Sequence, residues 1–243
     1  PEFIIFLIEC FHISIRREVD MTISGNVITD KDILASKCFN MMKTMYKSDY
    51  SEFLDLFYGI SISKISTVTD NKEISITPAP YNIISLPLPE DKNTLRDCFE
   101  LYTEKELLTN DNKYYYSEQK CYIEAYKEIH FWNFPQILII DLKRFTNKNE
   151  KDERNIDFPL ENMDLSEYVK GYNRKSYVYD LYGICNHNGS AFAGHYTAYI
   201  KVADGSWWHF NDTSTTKVED LNDLKTPNAY CFFYRKQMKK ISQ

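Results

Sequence analysis

The chain contains no Cys-x-x-Cys pair, no apolar run of membrane-span length and no excess of positive charge, and each absence removes a class of function. Its six cysteines, Cys10, Cys38, Cys98, Cys121, Cys185 and Cys231, fall at irregular spacing in apolar or strand-like surroundings. They read as reduced thiols of a cytosolic or nuclear protein, not as a disulfide framework. A membrane helix needs about 20 consecutive apolar residues. The most apolar stretch, PEFIIFLIECFHISI, is interrupted by Glu2, Glu9 and His12, so it reads as a buried helix rather than a signal or an anchor. Lys and Arg number 29 against 35 Asp and Glu, and the basic residues are scattered, which argues against nucleic acid and is compatible with a basic protein partner. Seven glycines against 19 tyrosines is a compositional bias without functional weight. With 243 residues, 43% of them hydrophobic, the chain has the material for one large domain.

What the chain does spell out is a hairpin with chemistry at one end. Thr197 to Val202 alternates apolar and polar, Asp204-Gly205 is a turn dipeptide, and Ser206 to Phe210 forms a second short strand. His195 then sits at the start of the first strand, with Asn211 and Asp212 just past the end of the second. An imidazole oriented by an amide or carboxylate is how a hydrolase fixes the tautomer of its base. Gly194 lets the backbone come close to a substrate.

Along the rest of the chain, Phe3, Ile4, Leu7, Ile8 and Phe11 recur at helical spacing without a cap or an initiator Met, so the start reads as truncated. Thr22 to Asp30 is a loop. Lys31 to Tyr46 is a helix whose Met41, Met42 and Met45 fill core, and Ser51 is a candidate N-cap for a short helix to Tyr58. Ile60 to Val68 and Glu73 to Thr77 make a hairpin around Asp70-Asn71-Lys72, and Tyr81 to Leu88 is a strand. Thr94 caps a helix that Glu104 to Leu108 extends or follows with a further turn. Tyr114 to Tyr116 and Cys121 to Trp132 form a second hairpin. Gln136 to Phe145 reads as a strand central to its sheet, and Thr146 to Asn155 as a mobile charged loop.

These blocks carry a resemblance. From Gly183 to Arg235 the segments GICNHNGSAFAGHYTAYIK, WWHFNDTSTTKV and NAYCFFYR resemble the histidine box of the ubiquitin-specific proteases. YNIISLPLP from Tyr81, WNFPQILIIDLKRF from Trp132 and Asp157-Phe158-Pro159-Leu160 resemble further blocks of that family, in its order, so the likeness covers nearly the whole chain. The resemblance implies an α+β fold of the papain type in a single catalytic domain over 1–243. Residues 1–58 would be a helical thumb remnant, and 59–243 an antiparallel palm sheet with two-hairpin fingers. It also implies a thiol-dependent hydrolase acting after the C-terminal glycine of ubiquitin.

In that reading His195 is the base, Asn211 orients it and Asp212 assists, while Glu2, Gly194 and Tyr196 line the path of ubiquitin's basic tail between the loops Thr146–Asn155 and Ser190–Ala193. The family's cysteine box would lie upstream of Pro1. Cys185, at the end of an alternating strand, and Cys10, inside an apolar helix, are poor nucleophiles, since the family sets its thiol at a helix N-terminus. His187 is expected to shape substrate access, and His209 to face solvent or a neighbour. The family's four zinc-binding cysteines fall on Val68, Asn71, Tyr116 and Gln119, none of which is a ligand, so no metal and no cofactor are expected. Two other classes stay open: a catalytically inactive ubiquitin-binding relative, and another Cys-His acyl-transfer enzyme such as a papain-like peptidase or transglutaminase.

Overall fold

A computed structural model describes residues 2–238. It opens with α1 (Glu2–Ile15), α2 (Asp30–Asp49) and α3 (Glu52–Phe57). α2 starts where Thr29 and Asp32 close a reciprocal capping box, which satisfies two backbone N–H groups that the helix itself leaves unpaired. Ser51 occupies the N-cap of α3 but makes no capping bond. Its hydroxyl instead meets His12 Nδ1 at 2.7 Å and ties α3 to α1. α1 is not the buried helix expected from its composition. Only Ile8 and His12 are buried, while Phe3 is 69% exposed and Phe6 and Phe11 are also open to solvent.

β1 (Gly59–Thr67) and β2 (Glu73–Tyr81) form the first hairpin, its turn containing Asn71 at a left-handed φ of 55°. β3 (Ile83–Leu86) follows, then α4 (Leu95–Thr103), capped by Thr94 and Asp97. Glu104 to Leu108 does not extend that helix. Residues Glu106–Leu108 form β4, which pairs with β7 (Ala125–Asn133). Leu107 is exposed and Leu108 half-buried there, and pairing to a neighbouring strand overrides their helix propensity. β5 (Tyr114–Tyr116) and β6 (Cys121–Ile123) make a separate two-stranded tip, and β7 leaves β6 to join a four-stranded sheet in the order β2-β1-β7-β4.

The larger sheet is built from β8 (Ile137–Leu142), β9 (Met163–Asp164), β10 (Val178–Gly189), β11 (Gly194–Lys201), β12 (Trp207–Asn211), β13 (Ser214–Lys217) and β14 (Ala229–Lys236), together with β3. Its order is β13-β12-β11-β10-β14-β8-β3, with β9 beside β10. Two expectations are corrected here. The sheet is antiparallel except that β3 runs parallel to β8, and β8 lies next to the edge strand rather than at the centre. β8 is nonetheless buried on both faces, which explains its continuous apolar run. Leu138, Ile140 and Leu142 enter the main core with Phe99, Phe158 and Tyr234, and Ile139 packs with Ile8 and Cys231 beneath α1.

Candidate active site

The hairpin β11–β12 brings the polar triplet together. Ala198 pairs with Phe210, so the next step of the ladder sets Thr197 opposite Asn211, and period-two alternation puts His195 on the same face. His195 Nε2 lies 2.6 Å from Asn211 Oδ1. An amide oxygen only accepts, so Nε2 carries the proton and Nδ1 keeps its lone pair. Asp212 takes a left-handed φ of 48° in the turn into β13, which Asp tolerates, and its carboxylate stands 4.0 Å from the same nitrogen. Half of the His195 side chain is exposed, so the ring is open to a reactant.

Gly194 is required by what lies beside it. A Cβ at this position would collide with His187 Nε2 and come within 2.8 Å of the Asn188 carbonyl oxygen. His187 is buried and packs edgewise against Phe145 at 5.6 Å, with Tyr196 at 4.8 Å and Tyr230 at 5.8 Å on tilted rings. Burial first, and then the nearby Lys151 ammonium, hold its pKa below the ordinary value, so the ring stays neutral. It supports the strand from beneath, a role that the sequence alone did not reveal; the neighbouring Gly194 was the signal. His209 faces a neighbour, its ring tilted against Tyr199 at 4.7 Å.

Burial raises the Tyr196 phenol, with smaller contributions from Cys185 and then from Glu2 at the start of α1. Tyr230 is pushed up to about 12, mainly by burial, with Asp141, Tyr196 and Glu2 contributing. Tyr196 and Tyr230 both pack on His187, and Glu2 lies within electrostatic reach of both phenols.

The loop from Thr146 to Asn155 is pinned, contrary to the mobility expected from its charged sequence. Arg144, 1% exposed, donates from Nε to Ala229 O at 2.8 Å and from Nη1 to Asp152 O at 2.9 Å and Arg154 O at 2.8 Å. Lys151 Nζ donates to His187 O at 2.5 Å. The Ser190–Ala193 loop is also held by its own hydrogen bonds, with Ser190 N donating to Ala193 O at 2.8 Å.

The thiols do not complete a Cys-His pair. Burial pushes Cys98 up to about 11, Cys38 to about 12, and Cys185 and Cys231 upward as well, away from the thiolate that attacks. Cys185 lies within β10 rather than at its end, and Cys10 is exposed on α1 rather than buried in an apolar helix. A second hydroxyl–imidazole–carboxylate set, Ser51, His12 and Asp49, is structural: Ser51 is fully buried and Asp49 stands 3.9 Å from the ring. Among the described residues no three His, Cys, Asp or Glu side chains gather as metal ligands.

The profile described as ubiquitin carboxyl-terminal hydrolase matches residues 1–234. Ubiquitin carboxyl-terminal hydrolase 2 of Bos taurus is 31% identical over 240 residues, 96% of this chain and 39% of the relative. Ubiquitin carboxyl-terminal hydrolase 9 of Arabidopsis thaliana is 36% identical over 151 residues, 60% of this chain and 16% of the relative. This chain therefore spans well under half of either relative. Among solved structures, a chain of a SAGA DUB module with Ubp8, Sgf11, Sus1 and Sgf73 superposes with a TM-score of 0.70 at 26% identity, covering 98% of this chain and 50% of that one. A chain of the same kind of module bound to monoubiquitin gives a TM-score of 0.66 at 26% identity, covering 86% of this chain and 46% of that one. The α+β fold, with its long mixed sheet and protruding hairpins, is the one shared with these ubiquitin-specific protease domains. The chain belongs to the ubiquitin carboxyl-terminal hydrolase family, in its ubiquitin-specific protease branch.

Proposed function

We propose that this chain is the base-bearing part of a deubiquitinase, which hydrolyses the isopeptide or peptide bond after the C-terminal glycine of ubiquitin through a thiol nucleophile. The observation that carries this is the 2.6 Å contact between His195 Nε2 and Asn211 Oδ1, in a chain of this family. His195 Nδ1, left with its lone pair, takes the proton of the attacking thiol and later delivers it to the leaving amine. Asn211 holds the ring in that tautomer, and Asp212 supplies negative charge nearby. Glu2, Gly194 and Tyr196 line the path of the basic tail, between the loops Thr146–Asn155 and Ser190–Ala193.

The thiolate comes from residues outside 1–243, because burial holds four of the six thiols protonated and the other two, Cys10 and Cys121, lie on α1 and at the fingertip. In this reading 1–58 contributes to the thumb and 59–243 to palm and fingers of one catalytic domain. Pro1 and 239–243 lie outside the described residues. Ubiquitin and ubiquitinated proteins are the partners, and reduced thiols suit the cytosol or nucleus. No helix among the described residues is long and apolar enough to cross a membrane.

The test is hydrolysis of a ubiquitin conjugate by the full-length protein and by its His195→Ala variant. Cleavage lost in the variant supports the reading. Binding of monoubiquitin without any cleavage identifies an inactive relative, and cleavage unaffected by the substitution refutes the role of His195.

A further inference from the structure

Cys185 and Cys231 face each other across neighbouring strands. They pair directly in the antiparallel β10–β14 ladder, and the register shifts at the next step, where Asn186 pairs with Ala229 and Tyr230 is passed over. Among the described residues no other two of the six cysteines pair in a strand ladder. Facing residues point to the same side of a sheet. Here that side is the apolar layer under α1, where both thiols pack with Ile8, Ile139 and Phe233. Cys231 is 2% exposed and Cys185 only partly buried, so one thiol is open to a small solute and the other is sheltered beside it.

Facing Cα atoms of an antiparallel pair lie roughly 4.5 or 5.5 Å apart, according to the kind of pair. Both values fall inside the roughly 4.4–6.8 Å that a disulfide spans. Facing Cβ atoms, at about 4.5–5.5 Å, have to close by up to about 1 Å to reach bonding separation. The bulge at Tyr230, directly beside the pair, is where this ladder is already bent and can yield.

We propose that Cys185 and Cys231 are a redox modification site, forming a reversible disulfide with a peroxide as oxidant. The bond closes a loop that contains β11, β12 and β13, and with them His195, Asn211 and Asp212, so it clamps the two ends of the segment that carries the candidate site. In the first step the Cys185 thiolate attacks a peroxide oxygen and the O–O bond breaks. The products are the Cys185 sulfenic acid and one water, formed from the departing hydroxide and the thiol's proton. The Cys231 sulfur then attacks the sulfenic sulfur, the S–O bond breaks, and the hydroxide leaves with the Cys231 proton as a second water. Two electrons pass from the thiols to the peroxide, and a thiol reductant returns them by exchange. Burial raises both thiols, which keeps the thiolate scarce, so the pair answers sustained oxidant rather than a brief exposure. The site is independent of the deubiquitinase reading.

The test treats the folded 243-residue chain with hydrogen peroxide, alkylates the remaining thiols, and maps cross-linked peptides by mass spectrometry, with thermal unfolding of the same sample. A Cys185–Cys231 peptide lacking two hydrogens is expected. Tm should stand roughly a few degrees above that of the reduced chain, and dithiothreitol should reverse both changes. In Cys231→Ser a 1,3-diketone trap should label Cys185 as its sulfenic acid, whereas in Cys185→Ser it should leave Cys231 unlabelled. Cys185→Ser should also lose the peroxide-dependent rise in Tm. Absence of the Cys185–Cys231 peptide, a link from either thiol to a different cysteine, trapping at Cys231, or a Tm unchanged or lowered by the bond would overturn the proposal. The cross-link is mapped on the wild-type chain, so the decision does not depend on either variant folding.

Discussion

His195 and Asn211 meet through Nε2 and Oδ1 at 2.6 Å, while the neighbouring Asp212 carboxylate stands back at 4.0 Å. Orientation of the ring by a neutral amide is thus separated from stabilisation of its positive charge by a carboxylate. In the full-length protein His195→Ala should abolish turnover. Asn211→Ala should lower kcat less, by ~10²-fold on the scale of general acid–base catalysis, since Asp212 takes over part of the orienting role. Asn211→Ala combined with Asp212→Ala should then be more severe than the product of the single losses. Steady-state kinetics of the three variants checks this, and a double loss equal to that product would show that Asp212 does not substitute.

Gly194→Ala should be more damaging than its size suggests. The added methyl meets the His187 ring and the Asn188 carbonyl, neither of which is the far end of a flexible chain. Overpacking of this kind costs about 1–3 kcal/mol. Thermal unfolding should show a lowered Tm. The additional substitution His187→Ala should recover part of it by removing the ring that the methyl strikes.

Stability should fall on mild acidification because of two histidines. Burial holds His130 and His187 below their ordinary value of 6.5. The unfolded chain therefore takes up protons below 6.5 before the folded one does, so the contribution is complete above that pH and declines as pH drops toward the folded values. Tm measured from pH 7.5 down to 5 should decrease, and His130→Gln with His187→Gln should flatten that part of the curve. A slope unchanged by both substitutions would exclude them as its source.

Asp141 works in the opposite sense. It is buried in β8, accepts from Ser85 Oγ at 2.6 Å, and burial raises its pKa above the ordinary 3.8. Folding then favours its protonated form, and its penalty sets in above 3.8 and grows as pH rises through the raised folded value. Asp141→Asn retains the acceptor for Ser85 without the charge. Its Tm should exceed that of the parent at pH 7, with the gain shrinking as pH falls toward 4.

Much of this arrangement is legible in the residues themselves. The β11–β12 hairpin is written in the alternation from Thr197 and in Asp204-Gly205, and the start of α4 in Thr94; the Thr29–Asp32 cap of α2 lies in a stretch that reads as loop. What the sequence hides depends on partners distant along the chain. Glu106–Leu108 reads as helix until β7 is there to pair with it. Ser51 looks like a cap until His12 claims its hydroxyl. The charged stretch after Phe145 looks loose because Arg144, which anchors it, spends its hydrogen bonds on main-chain carbonyls that no pattern announces.

The central claim is that these 243 residues supply the base and its orienting partner while the thiolate comes from elsewhere. An electrophilic ubiquitin probe tests it directly, applied to the 243-residue chain and to the full-length protein, with the labelled residue mapped by mass spectrometry. The account predicts no adduct on the 243-residue chain and a single adduct on the full-length protein, at a cysteine outside residues 1–243. An adduct at Cys185, Cys10 or any other of the six cysteines of this chain would contradict it.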